Sequence, residues 1–256
     1  VTGIAQLFGI QLAPNFKRPY FSVSLGDFWR RWHISLGAWM RDYVFYPFAL
    51  TRPVSRMSKA LKKKAGTHIA RALPAALGNI LVFLLVGVWH GAQMNYVLWG
   101  LYNGVILAFT ALVEPVYKRM NDRLPRLTAS GGFHVFRILR TFLIVNIGWY
   151  FDRCVRVSDA FAMLHKTFFA FNARQLFDGT LDTLGLAAKD YRILLVATII
   201  LFVVSFMQER GVKIRDFVLS LPLALRWAVL YAFIFFVLAT FGGSNVAASG
   251  FMYAVF

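Results

Sequence analysis

The apolar positions fall into five long runs at the scale of a membrane-spanning helix, which needs about 20 consecutive apolar residues. These are residues 73–89, 94–113, 135–151, 191–207 and 217–241, the last spanning only over its later part. The first two runs are nearly contiguous and part only at His90-Gly91-Ala92-Gln93. That junction reads either as a tight external turn or as a helix broken inside the protein, where surrounding protein or water must satisfy the freed backbone. Residues 27–48 follow another pattern. Phe28, Trp32, Leu36, Trp39 and Tyr43 recur at helical spacing, while Arg30, Arg31 and Arg41 interrupt any spanning run. This predicts an interfacial or re-entrant helix, opened by a Ser24-x-x-Asp27 capping box and ended at Pro47. The predicted fold is therefore all-α: a polytopic membrane protein of about five transmembrane helices plus this interfacial element, in one membrane domain over residues 1–256.

Charge supplies an orientation. Residues 51–72 carry seven Lys or Arg and no acid, residues 114–140 six against two, and residues 208–226 four against two. Residues 152–190 hold five of each sign, and no charge follows Arg226. The positive-inside rule puts the three basic connecting segments in the cytoplasm. The neutral segment and the C-terminus then lie outside, in a multi-pass membrane protein. The net charge is +17, but only 15% of residues are charged and 59% are hydrophobic. So dilute an excess does not describe a nucleic-acid surface, and anionic lipid headgroups are the expected counterpart. The chain opens without a basic n-region or a small-residue cleavage site. Residues 1–10 read instead as the tail of a spanning helix, and the chain as the C-terminal portion of a longer protein.

The chemistry centres on two histidines. His90 ends an apolar run, and an ionisable side chain at the margin of a span is a functional-site candidate by default. His33 lies in Asp27-Phe-Trp-Arg-Arg-Trp-His-Ile-Ser-Leu, and each of the two is preceded by a tryptophan, Trp32 or Trp89. A neutral imidazole in a low-dielectric pocket is disfavoured in its charged form and stays available as a base for a hydroxyl proton. The alternative is a buried histidine bonded to a backbone carbonyl between helices. His68, His134 and His165 have no partner in the pattern and read as solvated. Asn79, Gln93, Asn95 and Asn103 could line a pocket, although bonding between helices is their commoner use. No metal is expected, since HExxH and CxxC are absent and the single cysteine, Cys154, also excludes an internal disulfide. No G-x-S-x-G elbow or phosphate-binding glycine loop occurs.

Asp27-Phe-Trp-Arg-Arg-Trp-His-Ile-Ser-Leu-Gly-Ala-Trp-Met-Arg-Asp-Tyr-Val-Phe-Tyr-Pro, followed by Val86-Gly-Val-Trp-His-Gly-Ala, resembles the membrane-bound O-acyltransferase family. The likeness is to its bacterial branch of teichoic acid D-alanylation and alginate O-acetylation. Asn15-Phe-Lys-Arg-Pro-Tyr and the terminal Gly250-Phe-Met-Tyr-Ala-Val-Phe add to it. The resemblance implies a funnel-shaped helical membrane fold that thins the bilayer to a short tunnel. It implies His90 as the catalytic residue and His33 as the second essential histidine. It further implies transfer of a D-alanyl or acetyl group to a hydroxyl of an envelope polymer such as teichoic acid or exopolysaccharide. No cofactor stays bound; the donor is a cytoplasmic thioester, either a phosphopantetheinyl carrier protein or an acyl-CoA. Trp89, Trp32, Arg31, Asn79, Gln93 and Asn103 are the expected substrate-binding residues. The rival reading is a transporter or flippase of an envelope precursor that forms no bond.

Overall fold

The computed structural model describes residues 2–185 and 188–241. The terminal segment from Gly250 lies outside them. The described residues are helical, with no strand among them and a single isolated bridge, Phe16 to Trp32. They fall into two compact units, Val1–Phe171 and Asn172–Phe256. The first holds α1 (Thr2–Leu7), α2 (Leu25–Arg31), α3 (Ile34–Met40), a π-helical turn (Arg41–Phe45) and α4 (Tyr46–Ala49). It continues through α5 (Arg52–His90), α6 (Met94–Leu112), α7 (Glu114–Arg123), α8 (Pro125–Thr128), α9 (Gly131–Arg153) and α10 (Val157–Phe169). The second holds α11 (Ala188–Glu209), α12 (Ile214–Ser220) and α13 (Leu223–Phe241).

A helix stands at each of the five predicted spans. Arg52–His90, Met94–Leu112 and Lys189–Glu209 are long and apolar enough to cross a membrane, and Leu223–Leu238 is a shorter apolar stretch. The remaining helix, α9, has 23 residues, but Arg137, Arg140, Asp152 and Arg153 flank its apolar middle. Helix α5 differs from the expected connecting segment over residues 51–72, because that segment is itself helical. Gly66, at φ 85°, breaks it into two helical arms. Pro74 lies inside the second arm and, lacking an N–H, leaves the Ala70 carbonyl without its helical donor. The Ser58 hydroxyl donates to that carbonyl at 2.8 Å. In a straight helix the two residues would stand about 18 Å apart, so the basic first arm folds back on the second. One serine thus satisfies the acceptor that the proline vacates.

The core of this unit is the antiparallel hairpin of α5 and α6. Gly87, Gly100 and Gly104 let the two backbones touch. A methyl on Gly87 would run into the Tyr96 carbonyl, one on Gly100 into the Phe83 carbonyl, and one on Gly104 would lie 2.9 Å from Ile80 Cα. Small residues at such crossings maximise van der Waals contact where lipid supplies no hydrophobic drive. Helix α9 packs on α6 through side-chain bonds to its carbonyls: Tyr102 Oη donates to Ile144 O at 2.8 Å, and Asn95 Nδ2 to Phe151 O at 3.2 Å. His68, expected to be solvated, donates from Nε2 to Leu112 O at 3.0 Å and closes the C-terminal end of α6.

The expected interfacial helix is divided in two. Its start is as read: Ser24 Oγ accepts Asp27 N–H at 3.1 Å, while the Asp27 carboxylate accepts Val23 N–H at 3.2 Å. It breaks at Trp32 and His33, and it runs past Pro47 to Ala49. Pro47 is tolerated because the π-turn before it restarts the helix, placing the proline in a first turn where no donor is needed. The aromatic stripe is divided as well. Phe28 is fully buried, whereas Trp39 and Tyr43 are exposed.

Candidate active site

His33 sits at the joint between α2 and α3 in the left-handed region, at φ 49° and ψ 54°. A non-glycine residue holds that conformation only where its surroundings dictate it. Here the segment before α2 does so. Lys17 N–H donates to Arg31 O at 2.8 Å, and Ile34 N–H to Asn15 O at 3.0 Å. Asn15 Oδ1 also accepts from Ser35 N–H at 2.9 Å and from Ser35 Oγ at 2.8 Å. Phe16 packs its ring edge-on against Trp32, at 5.0 Å between centroids, and contacts the His33 ring. The Asn15-Phe-Lys stretch is therefore a strap that fixes the histidine turn. The enclosed Nδ1 of His33 has no hydrogen-bond partner. Burial pushes the His33 pKa below its ordinary value, so the ring is neutral at physiological pH.

His90 is the last residue of α5, and Gly91 closes the helix by donating to Gly87 O and Val88 O. The Tyr96 ring covers Gly91 so closely that an added Cβ would lie 2.7 Å from it. Between the two histidines stands Trp89, its ring 6.3 Å from that of His33 and 5.0 Å from that of His90. His90 packs edge-on to Trp99 at 5.1 Å and lies within electrostatic reach of His33 and Asp152. Behind them Phe28, Trp32, Trp149, Trp99 and Trp29 form a closed ring of aromatic neighbours, each 5.2 to 6.2 Å from the next. Such edge and offset contacts add to the burial energy of large rings. The result is a stiff indole wall beside two imidazoles.

A cavity of about 530 Å³ opens on this wall. Trp29, Trp32, His33 and Asn79 line it together with apolar side chains of α3, α5 and α6; Arg30 and Arg41 line it too, Arg30 Nη2 lying 3.5 Å from Asp27 Oδ1 and Arg41 Nε 2.9 Å from Asp42 Oδ1. Of the residues expected at a substrate, Trp32, His33 and Asn79 thus share one cavity. Trp89 adjoins His33 through a ring contact, and His90 adjoins Trp89, instead of lining the cavity. Arg31 Nε is paired with Asp27 Oδ1 at 3.3 Å. Gln93 is exposed on the turn between α5 and α6. Asn103 is buried, with its amide spent inside the fold: Oδ1 accepts from Trp29 Nε1 at 3.3 Å, and Nδ2 donates to Trp99 O at 2.9 Å. Its contribution is to hold the indole that faces the cavity.

Sequence reasoning missed Trp29, Arg30 and Arg41 on the lining and Asp152 beside His90. The arginines were visible as charges breaking an apolar pattern. Asp152 carried no signal, because its proximity depends on how α9 docks on α6. Among the described residues no group of three His, Cys, Asp or Glu side chains is placed to share a metal ion.

Comparison with known proteins identifies the family. The model of the MBOAT, membrane-bound O-acyltransferase, family matches residues 2–150, a stretch that contains both histidines and the whole cavity. A probable alginate O-acetylase of Pseudomonas syringae is 34% identical over 68% of this chain and 28% of its own length. The peptidoglycan O-acetyltransferase of Helicobacter pylori is 30% identical over 63% of this chain and 26% of its own length. The teichoic acid D-alanyltransferase of Bacillus subtilis is 32% identical over 58% of this chain and 34% of its own length. The chain thus spans about a third of the length of these relatives. With more than half of its residues matched by the family model, the chain belongs to the membrane-bound O-acyltransferase family.

Proposed function

We propose that the full-length protein is an O-acyltransferase of the bacterial plasma membrane. It moves a D-alanyl or acetyl group from a cytoplasmic thioester to a hydroxyl of an envelope polymer. The donor is a phosphopantetheinyl carrier protein or an acyl-CoA, and no cofactor remains bound between turnovers. The observation that carries this reading is the pair of imidazoles on either side of Trp89, one of them facing an aromatic cavity. The names of the relatives, which act on alginate, peptidoglycan and teichoic acid, support the acceptor class.

In this reading the acceptor hydroxyl meets His90, whose neutral ring takes the proton as the oxygen attacks the thioester carbon. The carbon–sulfur bond breaks, the thiolate takes up the proton from His90, and the ester leaves. His33, which lines the cavity, polarises the thioester carbonyl as negative charge grows on its oxygen. Trp29 and Trp32 exclude water from the thioester, and Asn79 offers the thioester arm a hydrogen-bonding group. Arg30 and Arg41, exposed although each is paired with an aspartate, Asp27 and Asp42, offer further N–H donors to the phosphates that either donor carries.

The test uses the full-length protein in proteoliposomes with a radiolabelled acyl thioester and the isolated acceptor polymer. His90→Ala is expected to lower the transfer rate by about 10² to 10⁴, the range lost with a general base, while insertion and yield are unchanged. Undiminished transfer in that variant refutes the role of His90. Passage of precursor across the vesicle without donor consumption in the wild-type protein refutes acyl transfer itself.

A further inference from the structure

A second cavity, of about 410 Å³, lies at the far end of the hairpin from His90. His68, Arg71, Ala72 and Ala75 of α5 form one side, and Ala111, Glu114, Pro115 and Lys118 of the α6–α7 corner form the other. From His68 to His90 the helix rises about 33 Å at 1.5 Å per residue, close to the roughly 30 Å thickness of a hydrocarbon core. The cavity and His90 therefore belong to opposite faces of the membrane. This cavity has no part in the acyl-transfer reading above.

Its lining combines cations with small apolar side chains. Arg71 and Lys118 have no ion-pair partner among the described residues. His68 is oriented by its bond to Leu112 O. The remaining lining is Ala72, Ala75, Ala111 and Pro115, and it leads into the apolar run that begins at Leu73. A lining that joins cations to apolar side chains fits an amphiphile better than a free anion. The lone carboxylate, Glu114, leaves the lining net positive and offers an acceptor to a hydroxyl-bearing headgroup. Lys62, Lys63 and Lys64 on the preceding arm add to the positive field. Basic pockets between transmembrane helices bind anionic headgroups by this logic.

We propose that this cavity is a binding site for an anionic phospholipid headgroup. Arg71 and Lys118 hold the phosphodiester, Glu114 accepts from its glycerol hydroxyls, and an acyl chain runs down the α5 surface past Ala72 and Ala75.

The test is native mass spectrometry of the full-length protein, extracted from nanodiscs of phosphatidylcholine containing phosphatidylglycerol. Wild type is expected to retain phosphatidylglycerol over phosphatidylcholine. The double variant Arg71→Ala/Lys118→Ala should lose about thirty-fold in that preference, each cation near a membrane surface counting for roughly a factor of five. His90→Ala should retain the lipid as wild type does, which separates this site from the acyl-transfer reading. An equal loss in Lys62→Ala/Lys63→Ala would reveal a diffuse basic surface and overturn the site. Displacement of the lipid by millimolar inorganic phosphate would make the cavity a free-anion site and overturn the lipid. A double variant that fails to purify is replaced by Arg71→Gln/Lys118→Gln, which keeps the polar volume and must show the same loss.

Discussion

His33 is held by its neighbours in a backbone conformation that few side chains adopt, and this makes it separable from the fold. Asparagine is among the residues that tolerate the left-handed region best. His33→Asn should therefore leave the joint intact while removing the imidazole. The expected result is normal insertion with transfer lowered by at least about ten-fold, below the usual contribution of an acid–base group because the asparagine amide can still donate. Transfer at the wild-type rate would assign the strained turn to architecture alone. The pH dependence follows from the lowered pKa. As pH falls below about 6.5, the unfolded chain binds a proton at this residue before the folded chain does. Acidification thus destabilises the folded state between that value and the lowered folded pKa. Thermal unfolding from pH 7.5 to 5.5 should show a smaller acid-induced drop in Tm for His33→Asn than for wild type; equal drops would show that His33 is not buried as neutral imidazole.

The α5–α6 hairpin is the element on which the rest of the first unit is aligned, and its glycines are the test of that claim. Gly87→Ala would drive a methyl into the Tyr96 carbonyl. Overpacking of this kind costs about 1–3 kcal/mol. Its apparent Tm in detergent should fall by several degrees, whereas Gly132→Ala, with nothing within 4 Å of the added Cβ, should not lower it. Equal behaviour of the two would mean that the helices cross more loosely. The hairpin also marks how far the sequence could be read. Its two arms and the turn at residues 91–93 follow directly from hydrophobic runs separated by a polar gap. The break at Gly66 did not, because the fold-back depends on Ser58 meeting a carbonyl twelve residues away. At the site, His33 and His90 stood out by their surroundings in the chain. The retirement of Asn103 into the interior and the arrival of Trp29 and Arg41 at the cavity depend on which helix faces pack together, and local pattern does not determine that.

At the scale of the whole molecule, the charge distribution predicts one orientation by the positive-inside rule. With native Cys154 replaced by serine, a cysteine at Lys62 should react with a membrane-impermeant maleimide only in inverted vesicles, and one at Thr180 only in intact cells. The reverse pattern would invert the assignment and place the basic cavity in the outer leaflet. The same scale shows a constraint on synthesis. The uncharged part of α9, residues 141–151, has eleven residues, about half of what a span requires. Such a segment is a poor stop-transfer signal when it emerges alone from the ribosome. Its hold on the membrane comes from partners made earlier in the chain: Tyr102 and Asn95 on α6, and the Val23 carbonyl that accepts from Arg140 Nη2 at 3.1 Å. The order of the genetic message is therefore part of the biogenesis, since the dock is translated before the helix that needs it.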